Sequence, residues 1–257
     1  MLYALISPAK KLDFAPAPAG VKATAPALLK EAGPLVKRVK KYTAGDLKRL
    51  MDLSQKLADL NYQRFQAFDP KNTADTKPAI YAFAGDVYMG FDAKSAAKDT
   101  IAYAQGHIGI ISGLYGLLRP LDAIQPYRLE MGTAVDSEAG EDLYDYWRNT
   151  VTAQLNAITA KMKNPTIVNL ASDEYWSVVD TKALKAPVVQ CVFKEIKNGQ
   201  AKVISFMAKK ARGLMARFIA ENQVETVEGL KAFTVGGYGF DAKASSAKQL
   251  VFTRKTK

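Results

Sequence analysis

Short runs of β-branched, aromatic and other apolar residues recur along this chain, and segments with helical periodicity separate several of them. Runs of this length and composition are typical of strands. The segments for which we predict a strand are Leu2–Ile6, Ala79–Phe83, Ile108–Ile111, Thr166–Leu170, Val188–Phe193, Val203–Phe206 and Leu250–Thr253. Strands that alternate with helices indicate an α/β protein, so we predict a mixed sheet with flanking helices.

Local patterns predict how several connecting segments fold. The clearest helix begins near Gly140, because apolar residues then recur every three or four positions up to Ile158. Asn198-Gly199 lies between two alternating segments and predicts a type I′ turn in an antiparallel hairpin. The segment Phe14–Pro34 is rich in alanine and proline, so we predict an extended path over the surface.

Two short helices are predicted between Asp46 and Phe68, with a break at Ser54–Asn61. Such a pair resembles the helix-hairpin-helix unit, which contacts the phosphate backbone of DNA independently of its sequence. The sequence lacks the Gly-apolar-Gly hairpin that is typical of this unit. We therefore favour a plain packing pair.

The chain has 257 residues, no internal repeat and no clean linker, so we predict one compact domain over residues 1–257. No apolar run reaches the roughly 18 residues that cross a bilayer. The start of the chain favours a first strand over a signal peptide. Cys191 is the single cysteine, so an internal disulfide is impossible. These observations predict a cytoplasmic protein that does not contact a membrane.

The net charge of +11 is distributed unevenly along the chain. Residues 1–80 carry a net charge of +7, residues 81–180 one of −6, and residues 181–257 one of +10. Excess positive charge concentrates polyanions near a protein, so the two basic ends suggest a nucleic-acid partner. The same lysines could serve only to keep the surface solvated, and charge alone leaves both interpretations open.

The segment Ala208–Phe218 has helical periodicity, with apolar residues on one side and cations on the other. We predict phosphate binding by these cations, which are Lys209, Lys210, Arg217 and, on the flank, Arg212. A glycine in a helix interior costs roughly 1 kcal/mol. We therefore infer that Gly213 lets a phosphate approach the helix backbone. The alternative is an ordinary solvated face with a tolerated glycine.

A second cluster follows the predicted strand Ile108–Ile111, in the position where α/β proteins tend to place ligand sites. Two glycines in this cluster allow a close backbone approach or a positive φ. Arg119 and Arg128 offer planar forks for phosphate or carboxylate, so we predict that they bind phosphate. Tyr115 and Tyr127 could stack on a base or fill the core.

Polar residues also close several of the predicted strands. We assign a phosphate-binding role to Lys10 and candidate catalytic roles to three acids, which are Asp86, Glu130 and Asp173. In a hydrolase Arg128 could clamp a phosphate, Glu130 could act as general acid or base, and another carboxylate could orient water. For Ser172–Glu174 the alternative is a helix N-cap with acids in the first turn.

Counting residues constrains metal and thiol chemistry. His107 and Cys191 are the single residues of their types, which leaves no ligand set for zinc, haem or an iron–sulfur cluster. The same counts give no basis for a Ser-His-Asp or Cys-His triad. We expect no cofactor and no metal site. A metal would need oxygen ligands, and Mg²⁺ between carboxylates and a phosphate fits best.

Six strings occur in an order that resembles the bacterial peroxide stress protein YaaA family, namely SPAK, GDVY, SGLYGLLRPLD, QPYRLEMG, NLASDEY and ISF-x-AKKARGLMARF. The similarity runs from Leu2 to about Phe252. The resemblance implies an unusual single-domain α/β fold that binds double-stranded DNA through a basic cleft. It also implies a cytoplasmic protein of the hydrogen peroxide response, which limits oxidative DNA damage in part by keeping free iron low. Because the chain lacks ligands for a strong iron site, we expect any effect on iron to be indirect.

The sequence leaves three functions open. The first is a protein that binds duplex or bubble-containing DNA without base readout, with an affinity that falls steeply as salt rises. The second is an enzyme that acts on DNA or a nucleotide, such as a base-excising hydrolase. Carboxylates beside a polyanion repel it, so their presence favours chemistry over simple binding. The third is a stress-response adaptor whose protein partner is unknown.

Overall fold

A computed structural model of the chain describes residues 1–135 and 140–255. In these ranges eight strands form one mixed sheet, and two more form a small antiparallel pair. The strands are β1 (Leu2–Ile6), β2 (Lys77–Pro78), β3 (Ile108–Ser112), β4 (Gly116–Leu118), β5 (Ala123–Ile124), β6 (Thr166–Leu170), β7 (Val188–Lys197), β8 (Gln200–Lys202), β9 (Gly239–Phe240) and β10 (Gln249–Lys255).

Helices flank the main sheet. They are α1 (Leu29–Val39), α2 (Ala44–Leu50), α3 (Gln55–Ala67), α4 (Ala79–Ala82), α5 (Asp86–Phe91), α6 (Lys98–His107), α7 (Leu143–Thr159), α8 (Asp173–Trp176), α9 (Ser205–Glu221) and α10 (Val227–Leu230). The longest are α7 and α9, and α9 packs against α5, α6 and three strands of the sheet. In the described part of the chain, no helix is both long and apolar enough to span a bilayer.

The strand order of the main sheet is β4-β3-β1-β6-β7-β10-β9, and β8 pairs with β7. The strands β3, β1, β6, β7 and β10 are parallel, whereas β4, β8 and β9 are antiparallel to their neighbours. All five residues of β1 and of β3 are buried, as expected for strands covered on both faces. The prediction of one α/β domain with a mixed sheet and flanking helices is confirmed.

The order in which the chain connects the strands places a reversal of winding direction at one point in this sheet. From β1 the chain proceeds to β3 and β4 on one side, and it then crosses to β6, β7 and β10 on the other side. The direction of winding therefore reverses between β1 and β6. In open α/β sheets, ligands bind outside the carboxyl ends of the strands at such a reversal. The fold thus directs attention to the loops that follow β1 and β6.

Most of the local predictions are confirmed. Five of the seven predicted strands are present as β1, β3, β6, β7 and β10. The helix predicted from Gly140 onward is α7, in which Asp142 caps the first turn by accepting the N–H of Asp145. The hairpin between β7 and β8 turns at Asn198 and Gly199, whose φ angles of 52° and 74° are those of a type I′ turn.

Two predicted strands are wrong. Ala79–Phe83 instead forms the buried helical turn α4 and the residue after it. Short apolar runs fit a buried turn as well as a strand, and here the N–H groups of Ala79 and Ile80 bond to carbonyls of the loop 120–122. Val203–Phe206 spans the end of a loop and the first turn of α9, and both of its end residues are exposed.

Two other local predictions were only partly right. The extended path predicted for Phe14–Pro34 ends at Leu28, because an apolar stripe of α1 packs into the core and Pro34 lies inside that helix. The break between α2 and α3 covers residues 51–54, earlier than predicted. Ser54 ends the break because its side chain accepts the N–H of Leu57 and caps α3.

Candidate nucleic-acid interface

The loops after β1 and β6 meet at the position where the sheet reverses its winding. Ser7 Oγ accepts the backbone N–H of Ser172 at 2.9 Å and lies 3.3 Å from Ser172 Oγ. Ser172 occupies the N-cap position of α8, which agrees with the alternative interpretation of Ser172–Glu174, but its side chain makes no capping hydrogen bond. The serine pair therefore ties two loops together at the carboxyl edge of the sheet, where open α/β sheets form a ligand-binding crevice.

Three tyrosines lie beneath this crevice. The Tyr88 hydroxyl donates to the Ser7 carbonyl at 3.1 Å, and the hydroxyls of Tyr127 and Ser112 lie 2.6 Å apart. Burial raises the pKa of Tyr88, Tyr127 and Tyr175 above the usual range of a phenol. All three are therefore neutral hydrogen-bonding groups at neutral pH. Tyr127 fills the core, so the alternative of base stacking does not apply to it.

Lys10, Arg128 and Glu130 meet at the rim of the crevice. Lys10 Nζ lies 2.5 Å from Glu130 Oε2, and Arg128 donates Nε and Nη2 to Oε1 at 3.1 and 3.0 Å. Both carboxylate oxygens are thus occupied by cations. Gly113 allows the segment that carries Arg128 and Glu130 to pack closely here. The Leu129 carbonyl lies against the Gly113 backbone, and a side chain at position 113 would collide with that carbonyl. The cavity under the cluster is about 10 Å³, so it holds no more than a water molecule.

The opposite rim is formed by α8 and α9. Asp173 and Glu174 are exposed in the first turn of α8, and Glu174 accepts the N–H of Gly132 at 3.3 Å. Arg212 of α9 is half-buried, and desolvation lowers the pKa of its guanidinium while the charge of Asp173 opposes that shift. Its guanidinium makes no hydrogen bond or close ion pair with the described residues. Arg212 is therefore a cation that can still accept an anion.

Cations are concentrated in the chain segment that ends at Arg212. We call residues 194–212 the basic arm; it comprises the end of β7, β8 and the first half of α9. Asn169 of β6 pairs with Gln190, so the last residues of β7 project beyond the carboxyl edge. The cations of the arm are Lys194, Lys197, Lys202, Lys209, Lys210 and Arg212.

The single acid of the basic arm is neutralised internally. Glu195 is buried, and it accepts hydrogen bonds from the Tyr238 hydroxyl and from Arg254 Nε, the latter at 2.8 Å. Hydrogen bonding to Glu195 raises the pKa of Arg254. The outer surface of the arm therefore presents lysines without an exposed carboxylate among them.

Two of the predicted phosphate ligands, Arg119 and Arg217, make contacts within the protein. Arg119 donates hydrogen bonds from Nε and Nη2 to Asp122, which is fully buried. Arg119 follows β4, and because β4 is antiparallel to β3, Arg119 lies away from the carboxyl edge of the sheet. Arg217 donates to the carbonyls of Phe91 and Asp92 at 3.1 and 2.8 Å and closes the end of α5. The phosphate-binding roles of all seven predicted residues stay predictions; these are Lys10, Arg119, Arg128, Lys209, Lys210, Arg212 and Arg217.

Gly213 and Asp86 also differ from their predicted settings. Gly213 is buried against α5 and does not lie on an open cationic face. Asp86 follows the helical turn α4 rather than a strand, and it begins α5. Its neighbour Gly85 packs on Ala9 of the loop after β1, which still places Asp86 near the crevice. The candidate catalytic roles of Asp86, Glu130 and Asp173 stay predictions.

A larger cavity of about 410 Å³ lies at the opposite, amino end of β6 and β7. The polar groups of Asn156 at its wall are already engaged, since Nδ2 donates to the Ala183 carbonyl and Oδ1 accepts the N–H of Lys185. No charged cluster comparable to the one at Glu130 is found there in the described residues. We therefore place the site at the carboxyl edge.

Redox and metal chemistry have little support in the described residues. Cys191 is buried, and desolvation raises the pKa of its thiol to about 12, so almost no thiolate exists at neutral pH. Direct reaction of this thiol with peroxide is therefore disfavoured. Within residues 1–135 and 140–255, no three side chains of the His, Cys, Asp and Glu types converge to hold a metal ion.

Comparison with known proteins identifies the family. The family model described as peroxide stress protein YaaA matches residues 1–244. The chain belongs to this family. A UPF0246 protein of Bordetella petrii is 51% identical over 257 residues, covering 99% of this chain and 100% of its own length. UPF0246 proteins of Caulobacter vibrioides and Idiomarina loihiensis are each 49% identical, over 97% and 98% of this chain and 98% of their own lengths.

Membership in the YaaA family supports a role in peroxide stress, and it confirms the resemblance seen in the sequence. Sequence reasoning missed the contact between Ser7 and Ser172, which lie 165 residues apart. It also missed the tyrosine layer under the crevice, because Tyr88 and Tyr175 resemble ordinary core residues. The one signal in the sequence was that each serine follows a predicted strand. That signal predicts a contact only when β1 and β6 are known to be neighbours in the sheet.

Proposed function

We propose that this protein binds duplex or distorted DNA in the hydrogen peroxide response and thereby limits oxidative DNA damage. DNA would lie in a basic cleft between the basic arm and the crevice at β1 and β6. The main supporting observation is that Lys209, Lys210 and Arg212 lie in the first half of α9 and form no ion pair with any residue in the ranges 1–135 and 140–255. We expect this activity in the cytoplasm.

The arrangement of charges supports binding without base readout. Lysines without acidic neighbours interact with the phosphate backbone, which supplies most sequence-independent affinity for DNA. The acids near the cleft are partly neutralised, since Glu130 contacts two cations and Glu195 is buried beside Arg254. Any lowering of free iron would be indirect, because the chain has one histidine and one cysteine.

We expect that replacing Lys209 and Lys210 together by alanine will weaken binding to duplex DNA and flatten its salt dependence. Each phosphate contact contributes about 0.9 to the slope of log K against log salt concentration, so the slope should fall by roughly 1.8. The measurement is fluorescence anisotropy of a labelled duplex, and of the same duplex with a central bubble, over a range of salt concentrations.

The matched control is the pair Lys161→Ala and Lys163→Ala. These lysines are also exposed, but they lie before β6, at the amino edge of the sheet. The control removes the same charge and should leave the slope nearly unchanged. An equal loss in both double variants would mean that net charge, rather than the basic arm, determines affinity.

A second candidate function is hydrolysis of DNA or a nucleotide, and the cluster at Glu130 favours it. The carboxylate of Glu130 lies at the winding reversal, where it could act as a general base beside a phosphate that binds Lys10 and Arg128. The small cavity beneath it means that a substrate would lie over the cluster, not within it. Asp173 and Asp86 are the further carboxylates on the rim of the same crevice.

For this candidate, Glu130→Gln should lower product formation by about 10²- to 10⁴-fold on damaged-base or bubble DNA, with Mg²⁺ present or absent. The same change should tighten DNA binding, because it releases Lys10 and Arg128 from their shared carboxylate. Glu228→Gln is the control, since Glu228 forms an exposed pair with Lys231. Wild-type protein that leaves these substrates intact after long incubation would rule out the hydrolase.

A further inference from the structure

The basic arm carries an aromatic side chain that the protein core does not use. Phe206 lies in the first turn of α9, and 61% of its surface is exposed. Among the exposed large apolar side chains of the described residues, only Met89 is more exposed. The large phenylalanines elsewhere on the sheet, such as Phe193 and Phe252, are buried and pack against other rings. Phe206 is therefore not part of the hydrophobic core.

The helix places Phe206 beside the lysines of the proposed interface. Lys209 and Lys210 follow it by three and four residues, so the three side chains share one face of α9 with neighbouring Cβ atoms about 5–6 Å apart. All three side chains are exposed. An aromatic ring with two adjacent cations is the combination by which proteins hold unpaired nucleotides, with the base on the ring and the phosphates on the cations.

Single exposed apolar residues are common on protein surfaces, and the surroundings distinguish Phe206 from such a case. The basic arm has six cations and one acid, and that acid is buried and paired with Arg254. A hydrophobic protein partner would gain nothing from this charge, whereas a polyanion is attracted by it. We therefore infer from the charge of the basic arm that the partner of Phe206 is a nucleic acid.

We propose that Phe206 is a stacking site for an unpaired nucleobase and that it makes the protein prefer distorted DNA over intact duplex. This inference rests on the proposed DNA binding and adds a residue that discriminates between DNA structures. In a paired duplex every base is already stacked within the helix, so Phe206 contributes little to binding. In a bubble the unstacked bases are free, and one of them stacks on the Phe206 ring while Lys209 and Lys210 contact the adjoining phosphates.

The test compares the affinities of wild type and Phe206→Ala for a labelled duplex and for the same duplex with a central bubble. Loss of one stacking contact corresponds to about 5- to 150-fold in affinity. The bubble complex should weaken by that factor, whereas duplex affinity and its salt slope should change by less than about twofold. Phe206→Trp should keep the preference, and DNA should quench the fluorescence of the indole that it introduces.

Two further variants separate stacking from a general apolar contact. Phe206→Leu keeps an apolar side chain without an aromatic face, so it should lose the preference like Phe206→Ala. Val203→Ala removes another exposed apolar side chain of the basic arm and should leave the preference intact. Because Phe206 is exposed, all variants should unfold at the wild-type temperature, which thermal denaturation checks.

The outcomes distinguish this inference from the proposed function. If all proteins bind both DNAs and Phe206→Ala keeps the wild-type ratio of affinities, the stacking site is refuted and DNA binding stands. If Phe206→Leu retains the preference, the contact is merely apolar and the stacking proposal is also refuted. If wild-type protein binds neither DNA at low salt, the proposed function and the inference are both refuted.

Discussion

Replacing Arg119 by methionine should lower the free energy of unfolding by about 3–5 kcal/mol, the usual effect of leaving a buried charge without its partner. The Asp122 carboxylate is fully buried, and it accepts hydrogen bonds from Arg119 Nε at 3.1 Å and Nη2 at 2.8 Å. The hydroxyl of Thr24 and the backbone N–H of Arg119 donate to the same group, both at 2.7 Å. Methionine keeps the aliphatic part of the side chain but removes the positive charge.

The destabilisation should extend to the loop that Arg119 holds. Its Nη2 also donates to the Ala25 carbonyl at 3.0 Å, and Thr24 forms an isolated bridge with Asp122. Adding Asp122→Asn to Arg119→Met should restore part of the lost stability, because a neutral amide needs no buried counter-charge. Urea denaturation of the three proteins measures the effect.

Arg49→Met is the matched control, since Arg49 also pairs with an aspartate three residues away. Its side chain is 75% exposed, and its partner Asp46 is partly exposed. Exposed pairs contribute about 0–1 kcal/mol, so this variant should remain close to wild type. If Arg119→Met were equally mild, the pair with Asp122 would not stabilise the fold, and the predicted role of Arg119 as a phosphate ligand would be favoured.

How much of this fold could be predicted from sequence depends on the range of the contacts involved. The strands β1, β3 and β6 are short runs rich in apolar and β-branched residues, and their prediction from the sequence is confirmed. The turn at Asn198-Gly199 is specified by two adjacent residues. Ala79–Phe83 has no periodicity of its own, and its helical form depends on carbonyls of the loop 120–122, about 40 positions away.

The site was harder to predict for the same reason. Arg119 and Asp122 are three residues apart, so their pairing was visible in the sequence, but the burial of Asp122 was not. Arg217 gave no such signal, because the carbonyls that it binds lie 125 and 126 residues away. The sequence predicts Lys10 as a phosphate ligand and Glu130 as a catalytic acid, each because it closes a predicted strand. The contact between the two side chains is visible only in the structure.

Gly213→Ala should lower the free energy of unfolding by about 3 kcal/mol, although the same change in an open helix is stabilising. A Cβ atom at Gly213 would lie 2.7 Å from the Val87 carbonyl carbon and 2.9 Å from the Phe91 nitrogen, both of which belong to the backbone of α5. Gly90 faces Gly213 across this crossing, and a Cβ there would lie 3.1 Å from Gly213 Cα. Neither backbone can move aside without separating α5 from α9.

Gly106→Ala in α6 is the control, because a Cβ at Gly106 has no other atom within 4 Å and the residue is exposed. It should gain up to about 1 kcal/mol from helix propensity, so the two variants should differ by about 4 kcal/mol in urea denaturation. A gain in both would mean that Gly213 is open to solvent, and approach of a phosphate to the α9 backbone would again explain it. A loss at Gly213 alone would mean that this glycine is needed for the close contact of α9 with α5, which helps to position the basic arm.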